Sequence, residues 1–151
     1  MSASNAFENS LLLLIFNNTD IANVGDAAGL QNSVTAGSLY VALHTADPGE
    51  GGDQTASESA YTNYARQAVA RASGAGGWTV SGTAPTIASN ASAVTFPACG
   101  VTGSTVTYFS VGLVVSGASV IVASGILTAQ LIINSGITPS FAIGALTVSL
   151  D

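Results

Sequence analysis

Charged side chains are scarce in this sequence, and lysine is absent from it. Only 7% of the 151 residues are Asp, Glu, Lys or Arg, whereas about 25% is ordinary for soluble domains. Two arginines and a net charge of −6 do not supply the basic footprint that nucleic acid or an anionic membrane surface requires. Because a monomer relies on a charged surface for solubility, we expect other protein to cover much of this surface. The alternative is an independently soluble acidic domain.

Long apolar runs and cysteine pairs are also lacking. The densest apolar run, at 11–16, has six residues, whereas a membrane-spanning helix needs about 20. Residues 1–10 contain no Lys or Arg, so the sequence does not predict a secretory signal peptide. Cys99 is the single cysteine, so the fold cannot depend on an internal disulfide. These features suit a protein made in a reducing cytoplasm.

The residue patterns that enzymes use are missing as well. Without lysine there is neither a P-loop nor a Ser-x-x-Lys pair, and no Gly-x-Ser-x-Gly elbow occurs. Periodicity places His44, the single histidine, on the less buried face of a strand, where we expect a structural role, with a general base as the alternative. Cys99 is interpreted as a buried or half-buried thiol, because a Cys–His dyad would need two adjacent strands. We therefore predict no catalytic residue and no cofactor.

Half of the acidic residues lie in one short segment: Asp47, Glu50, Asp53 and Glu58. The glycines between them would let the loop wrap around a cation with oxygen ligands. However, the calcium-loop pattern Asp-x-[Asp/Asn]-x-[Asp/Asn]-Gly is missing, so we expect a solvated acidic loop and assign no metal site. Arg66 is predicted to be partly buried and paired with an acid such as Asp47 or Glu58.

A single helix is predicted over residues 5–16, where apolar side chains recur at helical spacing. Asn5 is the predicted N-cap, with Glu8 three residues later completing a capping box. The Asn pair at 17–18 is the predicted stop, because Asn tolerates the left-handed conformation of a helix end. The helix docks on its own domain or reaches a neighbouring subunit. In the second case the candidate subunit-interface residues are Leu11, Leu12 and Phe16.

The rest of the chain is predicted to be all-β. Period-two patterning and turn signals delimit strands near 38–44, 64–71, 78–80, 91–96, 105–115, 119–123, 126–133 and 145–150. The Ser-Gly pairs at 81–82, 116–117, 124–125 and 135–136 are interpreted as hairpin turns. Seven or eight short strands favour a β-sandwich or jelly roll. The predicted organisation is an N-terminal helix or arm at 1–20 followed by one β-sandwich domain at 21–151.

Residues 39–50 read Leu-Tyr-Val-Ala-Leu-His-Thr-Ala-Asp-Pro-Gly-Glu. Together with 64–69, 78–81, 93–97, 108–112 and 135–148, this stretch resembles a family of small virion proteins of tailed phages. The resemblance spans most of the chain and is most specific at 39–48. It implies a non-enzymatic structural protein with no catalytic residues to carry over. Members have labels such as tail-fibre-like protein, and some phages use small β-sandwich subunits as capsid cement.

The resemblance and the low charge together predict a capsid decoration or cement protein on the virion surface. Its expected partners are the major capsid protein and copies of itself, and it would stabilise the shell by binding only the assembled lattice. Neither nucleic acid, membrane nor a small-molecule substrate is expected. The alternative is a tail component, namely a fibre-like, adaptor or baseplate subunit. A third class, a carbohydrate-active enzyme or lectin-like module, would show exposed aromatic residues beside the acidic loop.

Overall fold

The computed structural model describes residues 3–150, which form mainly β-strands. The elements are α1 (Asn5–Asn17), β1 (Ser38–His44), β2 (Gln67–Ala70), β3 (Trp78–Ser81), β4 (Thr86–Asn90), β5 (Val94–Thr95), β6 (Ser104–Gly112), β7 (Ile121–Ile133), β8 (Ser140–Phe141) and β9 (Thr147–Leu150). The pairs β1–β6, β3–β4, β4–β9 and β6–β7 are antiparallel. The predicted class, an all-β sandwich-like chain with a short N-terminal helix, is confirmed. A jelly-roll strand order stays a prediction.

The chain divides into two compact units, each assembled from separate stretches of sequence. Unit 1 comprises the described parts of Met1–Ser38, Val69–Ala93 and Phe141–Asp151, and unit 2 comprises Leu39–Ala68 and Val94–Ser140. The division predicted from the sequence, 1–20 and 21–151, stays a prediction.

Unit 1 contains the helix and the three-stranded sheet β3-β4-β9. Helix α1 packs on β3 and β4. The ring of Phe16 meets Trp78 edge-to-face, with the centroids 4.8 Å apart, and both side chains have no exposed surface. Leu12 and Leu146 are likewise buried. The apolar stripe of α1 therefore completes the core of unit 1.

Hydrogen bonds satisfy backbone groups at both ends of α1. The Ser4 hydroxyl accepts the Phe7 N–H at 3.4 Å, so the N-cap is Ser4 and the predicted Asn5 cap is wrong by one residue. Asn18 is left-handed, with φ of 55°, which confirms the predicted stop. Arg71 donates to the carbonyls of Leu14 and Ile15, both at 2.7 Å, and so stabilises the C-terminal carbonyls of the helix with a cation.

Unit 2 is built around the sheet of order β2-β1-β6-β7, in which β2 also runs on into unit 1. Strand β1 lies between two others, and each residue from Val41 to His44 is buried. Both faces of this part of β1 are therefore covered. The expectation that His44 lies on a less buried face is wrong, because the strand is central and not half-exposed.

Two further strand predictions are wrong. Strand β4 was not predicted, although it is the middle strand of its sheet. Strand β7 runs without a break through Ser124 and Gly125, which were predicted to form a hairpin turn. A Cβ at position 125 would lie 2.9 Å from the ring of Phe109 on the neighbouring strand. Glycine at 125 therefore makes room for an aromatic ring and does not mark a turn.

Candidate functional site

Arg66 occupies the centre of a buried polar network in unit 2. Its side chain is only 2% exposed, and it donates to both carboxylate oxygens of Glu58, from Nε at 2.7 Å and from Nη2 at 2.8 Å. This bidentate pair confirms the prediction that Arg66 is buried and paired with an acid. The hydrogen bond to Glu58 is the main reason that the pKa of Arg66 is raised. Because two parallel bonds join the planar guanidinium to the carboxylate, they fix the relative orientation of the two side chains as well as pairing their charges.

Tyr64 joins this ion pair to strand β1. Its hydroxyl donates to Glu58 Oε1 at 2.9 Å and accepts the Leu43 N–H at 3.0 Å. Burial raises the pKa of Tyr64 far above its ordinary value. The phenol therefore stays protonated and acts as a fixed donor to the carboxylate.

Gln54 extends the network towards β6. Its Oε1 accepts from Arg66 Nη1 at 3.2 Å, and its Nε2 donates to Tyr40 O at 2.9 Å and to Ser110 Oγ at 3.2 Å. Position 112 next to this amide must be glycine, since a Cβ there would lie 2.1 Å from the Gln54 amide carbon. A fully buried amide that is bonded at both ends fixes the loop after β1 onto the sheet.

His44 completes the network as a neutral side chain. Its Nδ1 lies 2.8 Å from Ala56 O and its Nε2 lies 2.7 Å from Ser110 Oγ. Because a carbonyl only accepts, Nδ1 carries the proton and Nε2 accepts the Ser110 hydroxyl. Burial lowers the pKa of His44. Both ring nitrogens are bonded, and neither His44 nor Ser110 has exposed surface through which a substrate could reach them, so this geometry supports the structural role.

Cys99 is buried and unpaired, as predicted for a structural thiol. Its Sγ lies 3.4 Å from Thr102 O and 3.8 Å from Gly100 O. The thiol therefore contacts backbone carbonyls and none of the groups that engage His44.

Three of the four carboxylates of the acidic segment make hydrogen bonds within 47–66. Asp47 accepts the Gly49 N–H at 2.9 Å in the predicted turn, where Gly49 has φ of 72°. Asp53 accepts the Thr55 N–H at 2.7 Å, and Glu58 is held by Arg66. Across residues 3–150 no group of three or more His, Cys, Asp or Glu side chains is placed to hold a metal ion.

A cavity of about 640 Å³ lies beside the ion pair, between residues 58–66 and 115–117 of unit 2. Its aromatic residues are Tyr61 and Tyr64, and neither is exposed. Tyr61 is 2% exposed and donates to Pro97 O at 2.9 Å; burial raises its pKa to about 12. A sugar-binding module was expected to show exposed aromatic residues beside the acidic loop. The two aromatic residues of this cavity do not meet that expectation.

The three candidate interface residues on α1 lie in different environments. Leu12 and Phe16 are 1% and 0% exposed, because the chain's own residues already cover them. They are core residues of unit 1 and have no side-chain surface left for another subunit. Leu11 is half-buried, and its place in an interface stays a prediction.

A different surface is left uncovered, and sequence reasoning missed it. We call residues 113–132, which run from the end of β6 through most of β7, the hairpin segment. None of its twenty residues is buried, although ten are Val, Leu or Ile and none is charged. Val115, Val120, Ile126 and Ile132 are between 55% and 69% exposed. The available signal was the charge pattern, since no Asp, Glu, Lys or Arg occurs in 72–150.

No helix among the described residues has the length and apolarity needed to cross a membrane.

The buried polar groups around Arg66 bond with one another, whereas apolar side chains of the hairpin segment are left exposed, which is typical of a surface that contacts other protein. The chain belongs to the Gp80 family, described as podophage GP4 fiber I protein gp80, which matches residues 2–149. No curated protein is significantly similar to it. The expectation of a phage virion structural protein is thereby confirmed at the level of the family, whose description names a fibre protein.

Proposed function

We propose that the chain is a non-enzymatic subunit of a tail fibre and acts by packing against other virion proteins. The observation that carries this proposal is the match to a fibre family over residues 2–149. The uncovered hairpin segment supports it, because a structural subunit needs apolar surface for its neighbours. Its partners would be copies of itself and other tail proteins.

Capsid decoration, the prediction made from the sequence, is the less favoured location. It rested on low surface charge and on the resemblance to small virion proteins. Low charge suits any extended protein contact, on a shell or on a fibre, so it does not distinguish the two. The family description names a fibre, which favours the tail. The major capsid protein is a partner in the decoration proposal only.

The test is the position and copy number of the protein in purified particles. Gold-labelled antibody against this chain should mark the tail, and mass spectrometry should give far fewer copies than of the major capsid protein. Antibody against the major capsid protein is the control for head labelling. Labelled heads with a copy number close to that of the capsid protein would establish decoration instead. A protein absent from particles would contradict both.

A further inference from the structure

The hairpin segment is not explained by the fold of a single copy. A strand in an antiparallel sheet normally turns alternate side chains into a core. In β7 every residue before Ile133 is either exposed or only half-buried, so the strand turns no side chain fully into a core over its first twelve residues. Exposed apolar side chains such as Ile126 and Ile132 indicate a contact with other protein.

Strand β7 also has an open edge. It is the last strand of the order β2-β1-β6-β7, and beyond the bridge between Asp53 and Val120 no strand lies beside its outer edge in the described chain. Proteins protect such edges with lysine, proline or inward charges, and residues 113–132 contain none of these. Irregularities interrupt the β6–β7 ladder, but residues 123–126 pair regularly with Tyr108–Val111. The outer edge at 123–126 can therefore accept another strand.

The charge pattern favours a copy of the same chain as the occupant. Every charged residue between 3 and 150 lies at or before Arg71. The hairpin segment itself therefore adds no like charges to such a contact, although each copy carries a net charge of −6 and Asp53 lies beside Val120. A partner recognised by its charge would find no counterpart there.

Geometry and size fit the same occupant. Two identical strand edges are self-complementary about a two-fold axis. A standard interface uses about 20–30 residues on each side, and the hairpin segment offers twenty that are not buried. We propose that residues 113–132 form a contact between copies of this chain, in which β7 pairs along its open edge with β7 of a second copy.

This inference deepens the proposed fibre role but is tested on the purified chain alone, so it can fail while the location in the tail stands. The variant Ile126→Lys combined with Ile132→Lys places two charges on the hairpin segment. Ile143→Lys is the matched control, because Ile143 lies in unit 1 and is 70% exposed, against 69% for Ile126. Circular dichroism should show unchanged folding in both, since all three positions are exposed.

Analytical ultracentrifugation gives the first readout. The unmodified chain and Ile143→Lys should sediment at no less than twice the 14.8 kDa of one chain, and the double variant at 14.8 kDa. A monomeric unmodified chain would overturn the proposal. An oligomer that persists in the double variant, or one that Ile143→Lys disperses equally, would overturn it too.

Hydrogen exchange gives the second readout, because it reports backbone pairing directly. Outer-edge amides of β7 should exchange about ten-fold or more slower in the unmodified chain than in the double variant at the same concentration. Equal exchange in an oligomeric sample would show that copies meet elsewhere and would overturn the pairing of β7.

Discussion

Both arginines of the chain form hydrogen bonds with other groups of the folded chain. Arg66 holds Glu58 and Gln54 in unit 2, and Arg71 holds the last carbonyls of α1 in unit 1. Each makes directional bonds that a lysine could not make, because the guanidinium presents a planar fork of donors. The two basic residues that the sequence contains therefore both have a structural use.

Glu58→Gln should destabilise unit 2 strongly. The substitution keeps the side-chain shape but leaves Arg66, 2% exposed, as a buried charge without a counter-charge. Breaking a buried pair in this way costs about 3 kcal/mol or more. Urea unfolding followed by circular dichroism measures the loss. Glu50→Gln, at an exposed acid nearby, is the control and should stay within about 0.5 kcal/mol; equal effects of the two variants would contradict the account.

The sequence predicts a helix, strand or turn well where residues adjacent in sequence determine it. It predicts them poorly where pairing with distant parts of the chain determines them. The helix, its stop at Asn18 and the turn at Asp47 are set by local patterns, and each is observed. Strand β4 was missed because its alternation, Thr-Ile-Ala-Ser-Asn, is weak and its pairing with β3 and β9 comes from distant parts of the chain. The pairing of a buried Arg66 with an acid was predicted, with Asp47 and Glu58 as the alternatives. The role of Gln54 was not, since nothing local marks a buried amide.

Phe16→Ala tests whether α1 is an element of the core. Removing a fully buried ring that packs on Trp78 should cost about 3–5 kcal/mol. Trp78 is the single tryptophan, so its fluorescence during urea unfolding reports on unit 1 itself. Phe7→Ala, at a side chain that is 42% exposed, is the control on the same helix and should change little. A free energy of unfolding that Phe16→Ala leaves unchanged would show that α1 is dispensable.

At the scale of the whole molecule, charge is divided along the sequence. Seven of the eight acidic residues lie at or before Glu58, the eighth is Asp151, and both arginines are engaged internally. Residues 72–150 are uncharged and include every residue of the hairpin segment. The chain therefore separates a charged part from an uncharged part that includes the exposed hairpin segment. Aliphatic side chains and backbone edges would then provide most of the energy of assembly.

Attachment of the protein to particles should consequently be insensitive to salt. Raising NaCl from about 0.1 M to about 1 M shortens the Debye length from about 10 to about 3 Å, which weakens contacts between exposed charges and leaves apolar ones intact. Purified particles washed at the two concentrations should retain equal amounts of the protein by quantitative gel. A wash with urea, which solvates apolar and peptide groups, is the matched treatment that should release it. Release by salt alone would mean that the acidic residues carry the contact, because salt screens the interactions of charged groups.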